Sequence, residues 1–288
     1  KGALDKWCFD VLQYMEIPFV KLHGNGNDFI LIDEYAGEKI PDDMKGHFAA
    51  VYCDRKFGIG GDGVLFLLKS NDGIRMRLFQ PDESEAEMCG NGIRCLAKYA
   101  FDAGYVKSPC TIQTLAGPVM VRMEYDEDGD FMAEVEMTPP IYESPGIPAK
   151  GKGDFHEIIN GYEVFAVNTG VPHAVIFVRD LDSLDLIKMA PPIRHSQFFP
   201  SGANVNFVEI TGENSIQIRT FERGVEAETL SCGTGATASA AIAYRLSKTG
   251  PVVEVETIGG PLTITIKDGA FMKGPADTVF TGMLHLDG

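Results

Sequence analysis

Basic residues are scarce in this chain of 288, with 25 Lys and Arg against 41 Asp and Glu, a formal charge of −16 and a pI near 4.7. A surface field of that sign repels phosphate backbones and anionic lipid, so nucleic acid and membrane surfaces are excluded as partners. A small anion is still admissible, because a few amides and one Arg in a cleft outweigh the mean field at short range. Long apolar runs are also missing, and the stretch from Lys1 to Met15 carries Asp5 and Asp10 where a signal peptide would be apolar. The expected location is the cytoplasm. The six cysteines, Cys8, Cys53, Cys89, Cys95, Cys110 and Cys232, include no CxxC and no zinc-spaced cluster, which excludes a disulfide scaffold and a structural metal. The loop Gly58-Ile59-Gly60-Gly61-Asp62-Gly63 lacks the Lys-Ser/Thr of a phosphate cradle and reads as a turn. The acidic run from Asp126 to Asp130 has Met137 at the twelfth position, where a calcium loop needs Glu, and reads as a hairpin tip.

What is present is a repeat. Ile74 to Gly92 reads IRMRLFQPDESEAEMCGNG and Ile216 to Gly235 reads IQIRTFERGVEAETLSCGTG. Ile, Arg and Phe recur at the same offsets, followed by Glu-Ala-Glu and Cys-Gly-x-Gly. Upstream, Phe19 to Asp33 and Phe165 to Val178 both read strand, Gly-containing turn, strand, with Asn27 and Val171 at matching distances before Cys89 and Cys232. Two similar halves follow, with residues 15–138 in one, 139–275 in the other, and 1–14 as an extension ahead of them. The boundary falls in Thr138 to Pro148, which carries four prolines. Alternating apolar runs such as Val64 to Leu68, Val119 to Met123, Ile216 to Thr220 and Leu262 to Ile266 predict strands. Helical spacing follows each Cys-Gly-x-Gly: Ile93, Leu96, Ala97 and Ala100 to a stop near Gly104, then Ala236, Ala240 and Ala243 to Gly250-Pro251. Strands with one buried helix per half give an α+β class.

Each repeated cysteine stands at a predicted helix mouth, where free amides and the macrodipole favour an anion and are expected to lower the thiol pKa. The glycines beyond it expose backbone that can hold a carboxylate. Two such mouths facing across a cleft would form a two-base site, one thiolate removing an α-proton and the other thiol delivering one to the opposite face. A lone Cys before a Gly turn is more often a packed core residue, but duplication in matched context favours catalysis. Cysteine-protease chemistry would leave the second cysteine unexplained.

The segments LHGNGNDF (Leu22 to Phe29), MCGNGIRC (Met88 to Cys95), GVPHAV (Gly170 to Val175) and ERG…CGTGA (Glu222 to Ala236) resemble the diaminopimelate epimerase family. The resemblance spans nearly all of the chain from Met15. It implies two pseudo-symmetric domains, each a mixed barrel-like sheet around a central helix, with the active site in the cleft between them and the C-terminal strand, 276–288, joined to the first domain. It also implies interconversion of LL- and meso-2,6-diaminoheptanedioate without cofactor, pyridoxal phosphate or metal, in lysine biosynthesis, by a homodimer. By position, Cys89 and Cys232 match the acid/base thiols, and Gly90, Asn91, Gly233 and Thr234 match the amides on the reacting carboxylate. Asn27, Asn204, Glu222 and Arg223 match substrate contacts, with Gln80 in the place of a further one; His173 and Glu222 match groups that tune the thiols. Outside the resemblance, Arg223 beside Glu222 reads equally as a surface ion pair and His173 as a satisfied core histidine. Three positions depart from the family pattern: Gln80 for an Asn, Val171 for an Asn, and Gly63 for a Gln. All three match contacts to the distal end of the substrate, so another amino-acid substrate, or a binding protein without catalysis, stays open alongside.

Overall fold

A computed structural model describes residues 16–71 and 73–285, so the expected 1–14 extension and the last three residues lie outside the described residues. The first ladder contains β1 (Glu16–Gly24), β2 (Asn27–Glu34), β3 (Gly63–Ser70), β4 (Gly73–Phe79), β5 (Glu85–Ala86), β6 (Cys110–Thr114), β7 (Gly117–Tyr125) and β8 (Phe131–Met137). The second contains β9 (His156–Ile159), β10 (Tyr162–Asn168), β11 (Pro172–Val178), β12 (Asn204–Gly212), β13 (Ser215–Glu222), β14 (Ala227–Thr229), β15 (Val252–Thr257), β16 (Gly260–Ile266) and β17 (Ala270–Pro275). β18 (Asp277–His285) closes the chain. Among the described residues three helices of eight or more residues accompany them, α1 (Lys45–Tyr52), α2 (Gly90–Asp102) and α3 (Gly233–Arg245), beside two single-turn helices at Leu186–Met189 and Pro191–Arg194.

The pairings repeat with the sequence. β1 and β2 are antiparallel, β2 and β3 parallel, β3 and β4 antiparallel, β4 and β6 parallel, and β6, β7 and β8 antiparallel in turn. β10, β11, β12, β13, β15, β16 and β17 follow the same scheme in the same order. The outer strands exchange: β18 leaves the second ladder and pairs antiparallel with β1, as β9 pairs with β10. β8 and β17 pair antiparallel, joining the two ladders into one sheet. All four apolar runs singled out in the sequence are strands, within β3, β7, β13 and β16, and Asp126 to Asp130 is the exposed tip between β7 and β8.

Each long helix is enclosed by its ladder, α2 against β1, β2, β7 and β8 and α3 against β10 to β13 and β15 to β17. Ile93, Cys95, Leu96, Ala97 and Ala100 of α2 have no exposure, nor do Ala236, Ala238, Ala240, Ala241 and Ala243 of α3. A helix wrapped on most sides has no polar face to offer, and alanine lets the strands approach closely. Both helices end in the same hydrogen-bonded cap. In α2, Gly104 takes a positive φ while its N–H bonds to Phe101 and that of Tyr105 to Ala100. In α3, Ser247 takes that place, with Ser247 bonded to Tyr244 and Lys248 to Ala243. The expected stop at Gly250-Pro251 is therefore corrected to Arg245, because a serine adopts the left-handed conformation where the sequence signal is normally glycine.

The ladders also touch at the tip of the β15–β16 hairpin. Gly259 donates to the Leu230 carbonyl at 2.8 Å, and Asn25 Nδ2 donates to the Pro261 carbonyl at 3.1 Å. A Cβ at position 259 would lie 1.9 Å from the Asn25 carbonyl oxygen, an atom of backbone that cannot rotate away. Gly259→Ala is therefore expected to cost about 1–3 kcal/mol, as overpacking does, lowering the denaturant midpoint without changing the slope. An unchanged midpoint would mean that this contact does not hold the ladders in register.

Candidate active site

The enclosing sheets aim the N-termini of α2 and α3 at one space. Cys89 caps α2 in an extended conformation, and its Sγ accepts the Gly92 N–H at 3.4 Å. Cys232 caps α3 in the same extended conformation, with Sγ 3.4 Å from Thr234 Oγ1. The Met272 side chain fills the gap between the mouths: a Cβ on Gly90 would meet its Cε at 2.7 Å, and one on Gly233 its Sδ at 2.9 Å. Glycine after each cysteine lets both helix mouths lie directly against the same methionine. Asn91 Nδ2 crosses the gap to the Ser231 carbonyl at 3.3 Å.

On the first ladder's side a chain of amides is oriented from both ends. The fully buried Arg94 can only donate, and its Nη1 gives a hydrogen bond to Asn91 Oδ1 at 3.0 Å. Asn91 Nδ2 must then donate, and it reaches Asn27 Oδ1 at 3.2 Å. Asn27 Nδ2 ends the chain on Asp62 Oδ2 at 2.7 Å, and the Cys89 thiol lies 3.6 Å from Asn27 Oδ1. Arg55 bridges Asp62 and Asp28, and Lys21 pairs with Asp28 at 2.6 Å. Burial alone would raise the Asp28 carboxyl, yet the hydrogen bonds and charges of Arg55 and Lys21 hold it near 2.

On the second ladder's side, buried His173 lies 3.0 Å from Asn206 Nδ2 and 3.4 Å from Asn204 Nδ2, while Asn204 Oδ1 accepts the Arg223 N–H at 2.7 Å. Burial pushes His173 down to about 3, so the ring is neutral at physiological pH. The Arg223 guanidinium touches the Ser201 carbonyl at 3.4 Å and forms no ion pair among the described residues, so it is not the surface pair with Glu222 that adjacency allowed. Burial raises Glu222, the neighbouring Thr229 hydroxyl opposes this, and the Glu222 charge in turn raises both Cys89 and Cys232.

The thiol expectation is corrected here. Burial raises Cys89 and lifts Cys232 to about 12, outweighing the backbone N–H groups at each helix mouth that pull the other way. Desolvation of an anion exceeds a partial helix charge when no cation pairs with the sulfur.

Of the residues singled out in the sequence, the structure gathers Cys89, Gly90, Asn91, Asn27, Cys232, Gly233, Thr234 and Glu222 around the two mouths, with His173, Asn204 and Arg223 one contact behind. Gln80 is not brought to the thiols by any contact: it sits exposed in its own turn, where Oε1 accepts from Ser84 at 3.1 Å. Gly63 stands opposite Phe29 as Asn204 stands opposite His173, and Leu78 fills the space where its side chain would be. Arg94, Asn25, Asp62 and Met272 were not singled out. Asp62 lay in the glycine loop read only as a turn, and Arg94 lay inside the MCGNGIRC segment, where a charge in a helix normally faces water.

Comparison with solved structures defines the class. The fold matches a phenazine biosynthesis protein of the PhzF family from Bacillus anthracis, with a TM-score of 0.68 at 17% identity, over 94% of this chain and 99% of that one. It also matches a hydroxyproline epimerase from Agrobacterium vitis, with a TM-score of 0.66 at 17% identity, over 95% and 93%. The chain is thus a sheet-dominated α+β protein of the epimerase fold. The family model for diaminopimelate epimerase matches residues 19–142 and 165–279. Curated proteins of that name are 58% identical over 93% of this chain and 96% of the relative in Methanothrix thermoacetophila, and 50% identical over 94% and 98% in Methanocella arvoryzae. The chain belongs to the diaminopimelate epimerase family.

Raised thiol pKa values have a direct readout. Without ligand, Cys89 and Cys232 are expected to alkylate about tenfold or more slowly than a free cysteine near neutral pH, the rate still climbing above pH 9. Peptide mapping after timed iodoacetamide treatment measures this, and fast labelling of either residue at neutral pH would show that the helix mouths win over burial.

Proposed function

We propose that this chain interconverts LL- and meso-2,6-diaminoheptanedioate by passing a proton between Cys89 and Cys232 across one α-carbon. The observation that carries the reading is the pair of cysteine-capped helices meeting at one space. In the forward direction one thiolate takes the α-proton, and its C–H electron pair moves into the adjacent carboxylate as an enolate. The opposing thiol then gives its proton to the other face of the carbon, which leaves the configuration inverted and the two sulfurs with exchanged protonation. Free amides of Gly90, Asn91, Gly233 and Thr234 receive the carboxylate charge as it grows. The substrate ammonium brings a cation beside the sulfurs and opposes the Glu222 charge that raises both thiols.

Asn27 and Asn204 are read as contacts to the reacting amino acid, His173 and Glu222 as groups that tune the thiols, and Arg223 as the bidentate partner of the distal carboxylate. Gln80 is read as a distal contact that must leave Ser84 to reach substrate. Val171 offers no side-chain hydrogen bond there, which favours a panel of other α-amino acids as the second assay. The chain is further read as two domains, 15–138 joined by 276–288 and 139–275, acting as a homodimer in the cytoplasm. β18, which pairs only with β1 among the described residues and exposes Val279, Phe280 and Met283, is the surface this reading gives to a second copy.

Reduced protein incubated with the LL isomer in D2O, with no cofactor, is expected to lose the α-proton NMR signal as the meso form appears. Cys89→Ala and Cys232→Ala should each lower that turnover by about 10²–10⁴-fold with the fold retained by circular dichroism. Full turnover by either variant would overturn the two-thiol mechanism.

A further inference from the structure

The two ladders superpose in register, so each buried position beneath one thiol has a counterpart beneath the other. Phe29 opposite Gly63 corresponds to His173 opposite Asn204, and Leu65 opposite Leu78 corresponds to Asn206 opposite Thr220. A Cβ on Gly92, in the first turn of α2, would touch Leu65 and Phe29, whereas one on Gly235 of α3 would touch Asn206 at 2.5 Å and Thr220 at 3.2 Å. The floor under Cys89 is therefore Phe29, Leu65 and Leu78, and the floor under Cys232 is His173, Asn206 and Thr220. All six are buried, and burying three polar side chains where the same fold accepts three apolar ones is costly unless each is paired.

The pairing leaves a single arrangement. The Ala174 carbonyl can only accept, and it lies 3.0 Å from Asn206 Nδ2, which fixes that end of the amide as nitrogen. The other end is then Oδ1, which accepts from Thr220 Oγ1 at 3.0 Å. The second N–H of Asn206 Nδ2 then points at His173 Nδ1, 3.0 Å away, and that ring atom must be the acceptor. On the other side the Arg223 N–H holds Asn204 Oδ1, so Asn204 also turns its nitrogen toward the ring, at 3.4 Å from Nε2. A ring faced by two amide nitrogens has no room for a proton on both sides.

We infer that Asn206 and Thr220 are positioning residues that hold His173 as the neutral Nε2–H tautomer, a hydrogen-bond donor directed to the Asn204 and Arg223 side of the ring. The Asn204 nitrogen on that side gives its own hydrogen bond to the Pro172 carbonyl at 3.4 Å, so the closer donor, Asn206 at 3.0 Å, is the one that decides which ring nitrogen accepts. The charge acting on the ring is the Arg223 guanidinium, which disfavours the imidazolium, while Glu222 and Cys232, the other ionisable groups at this end, act on each other. Cys89 has no such device beneath it, so the two thiols of a nearly twofold frame differ in what lies below them. The inference rests on the epimerase reading only for its effect on turnover, because the tautomer is observable without it.

The test is a long-range ¹⁵N–¹H correlation spectrum of the histidine rings in the full chain, with His173→Asn identifying the resonance. The expected ring has its proton on Nε2 and does not become imidazolium between about pH 5 and 8. Asn206→Asp replaces the donor at Nδ1 with a carboxylate and should move the proton to Nδ1, produce imidazolium within that range and lower kcat by about tenfold or more with KM less affected. A wild-type ring protonated on Nδ1, or titrating in that range, would overturn the assignment, as would an unchanged spectrum in Asn206→Asp. If the tautomer is found but the protein turns over no amino acid, the positioning inference stands and the epimerase reading falls.

Discussion

A single buried guanidinium organises the centre of this molecule. Arg94 has no exposure and, among the described residues, no carboxylate partner, and burial lowers it to about 10, which still leaves it charged at neutral pH. An ion in that position is tolerated only if its N–H groups are occupied. Each of its three nitrogens has a partner, in atoms from separate parts of the fold: Nε the Pro275 carbonyl where β17 gives way to β18, Nη2 Asn25 Oδ1 in the β1–β2 turn at 2.6 Å, and Nη1 Asn91 Oδ1 and the Gly90 carbonyl at the mouth of α2. The exchanged strand, the hairpin turn and the helix mouth are thereby held to one point. Since Arg94 only donates, it also dictates how Asn91 and Asn27 face the Cys89 thiol, so a structural tie and the orientation of the cleft are the same set of hydrogen bonds.

The second half solves the corresponding problem differently. Thr237 stands in α3 where Arg94 stands in α2, and its hydroxyl returns to the Gly233 carbonyl at 2.9 Å within its own helix. Polarity in that half is carried by the strands, in His173, Asn206 and Thr220, and it is neutral. A duplicated frame delivers two thiols to one space, and the departures from duplication put a permanent cation behind one and a neutral donor behind the other. The proposed mechanism, in which the thiols exchange roles in every turnover, asks for matched approach to the carbon but not for matched surroundings.

Much of this was legible in the sequence, and the limits are physical. The repeat, the strands and the helix starts were readable because period and glycine placement are local. Arg94 was not, since a charged residue at helical spacing reads as solvated until the sheet is known to wrap most sides of the helix. The stop of α3 was misplaced because Ser247 accepts a backbone conformation usually left to glycine. Asn206 and Thr220 sit in ordinary alternating strands, and only the register against β11 reveals that their side chains share one floor with His173.

The thiols show why helix position alone is a poor guide to acidity. A helix mouth contributes a partial positive charge, whereas moving a thiolate out of water costs a full one, so the enclosure that brings Cys89 and Cys232 together also keeps them protonated when the cleft is empty. The same enclosure strengthens every interaction with an ion that enters. An amino acid carries both charges the cleft can use, an ammonium to favour thiolate and a carboxylate to occupy the free amides. On the proposed mechanism a site built on desolvation is in this way activated by its substrate.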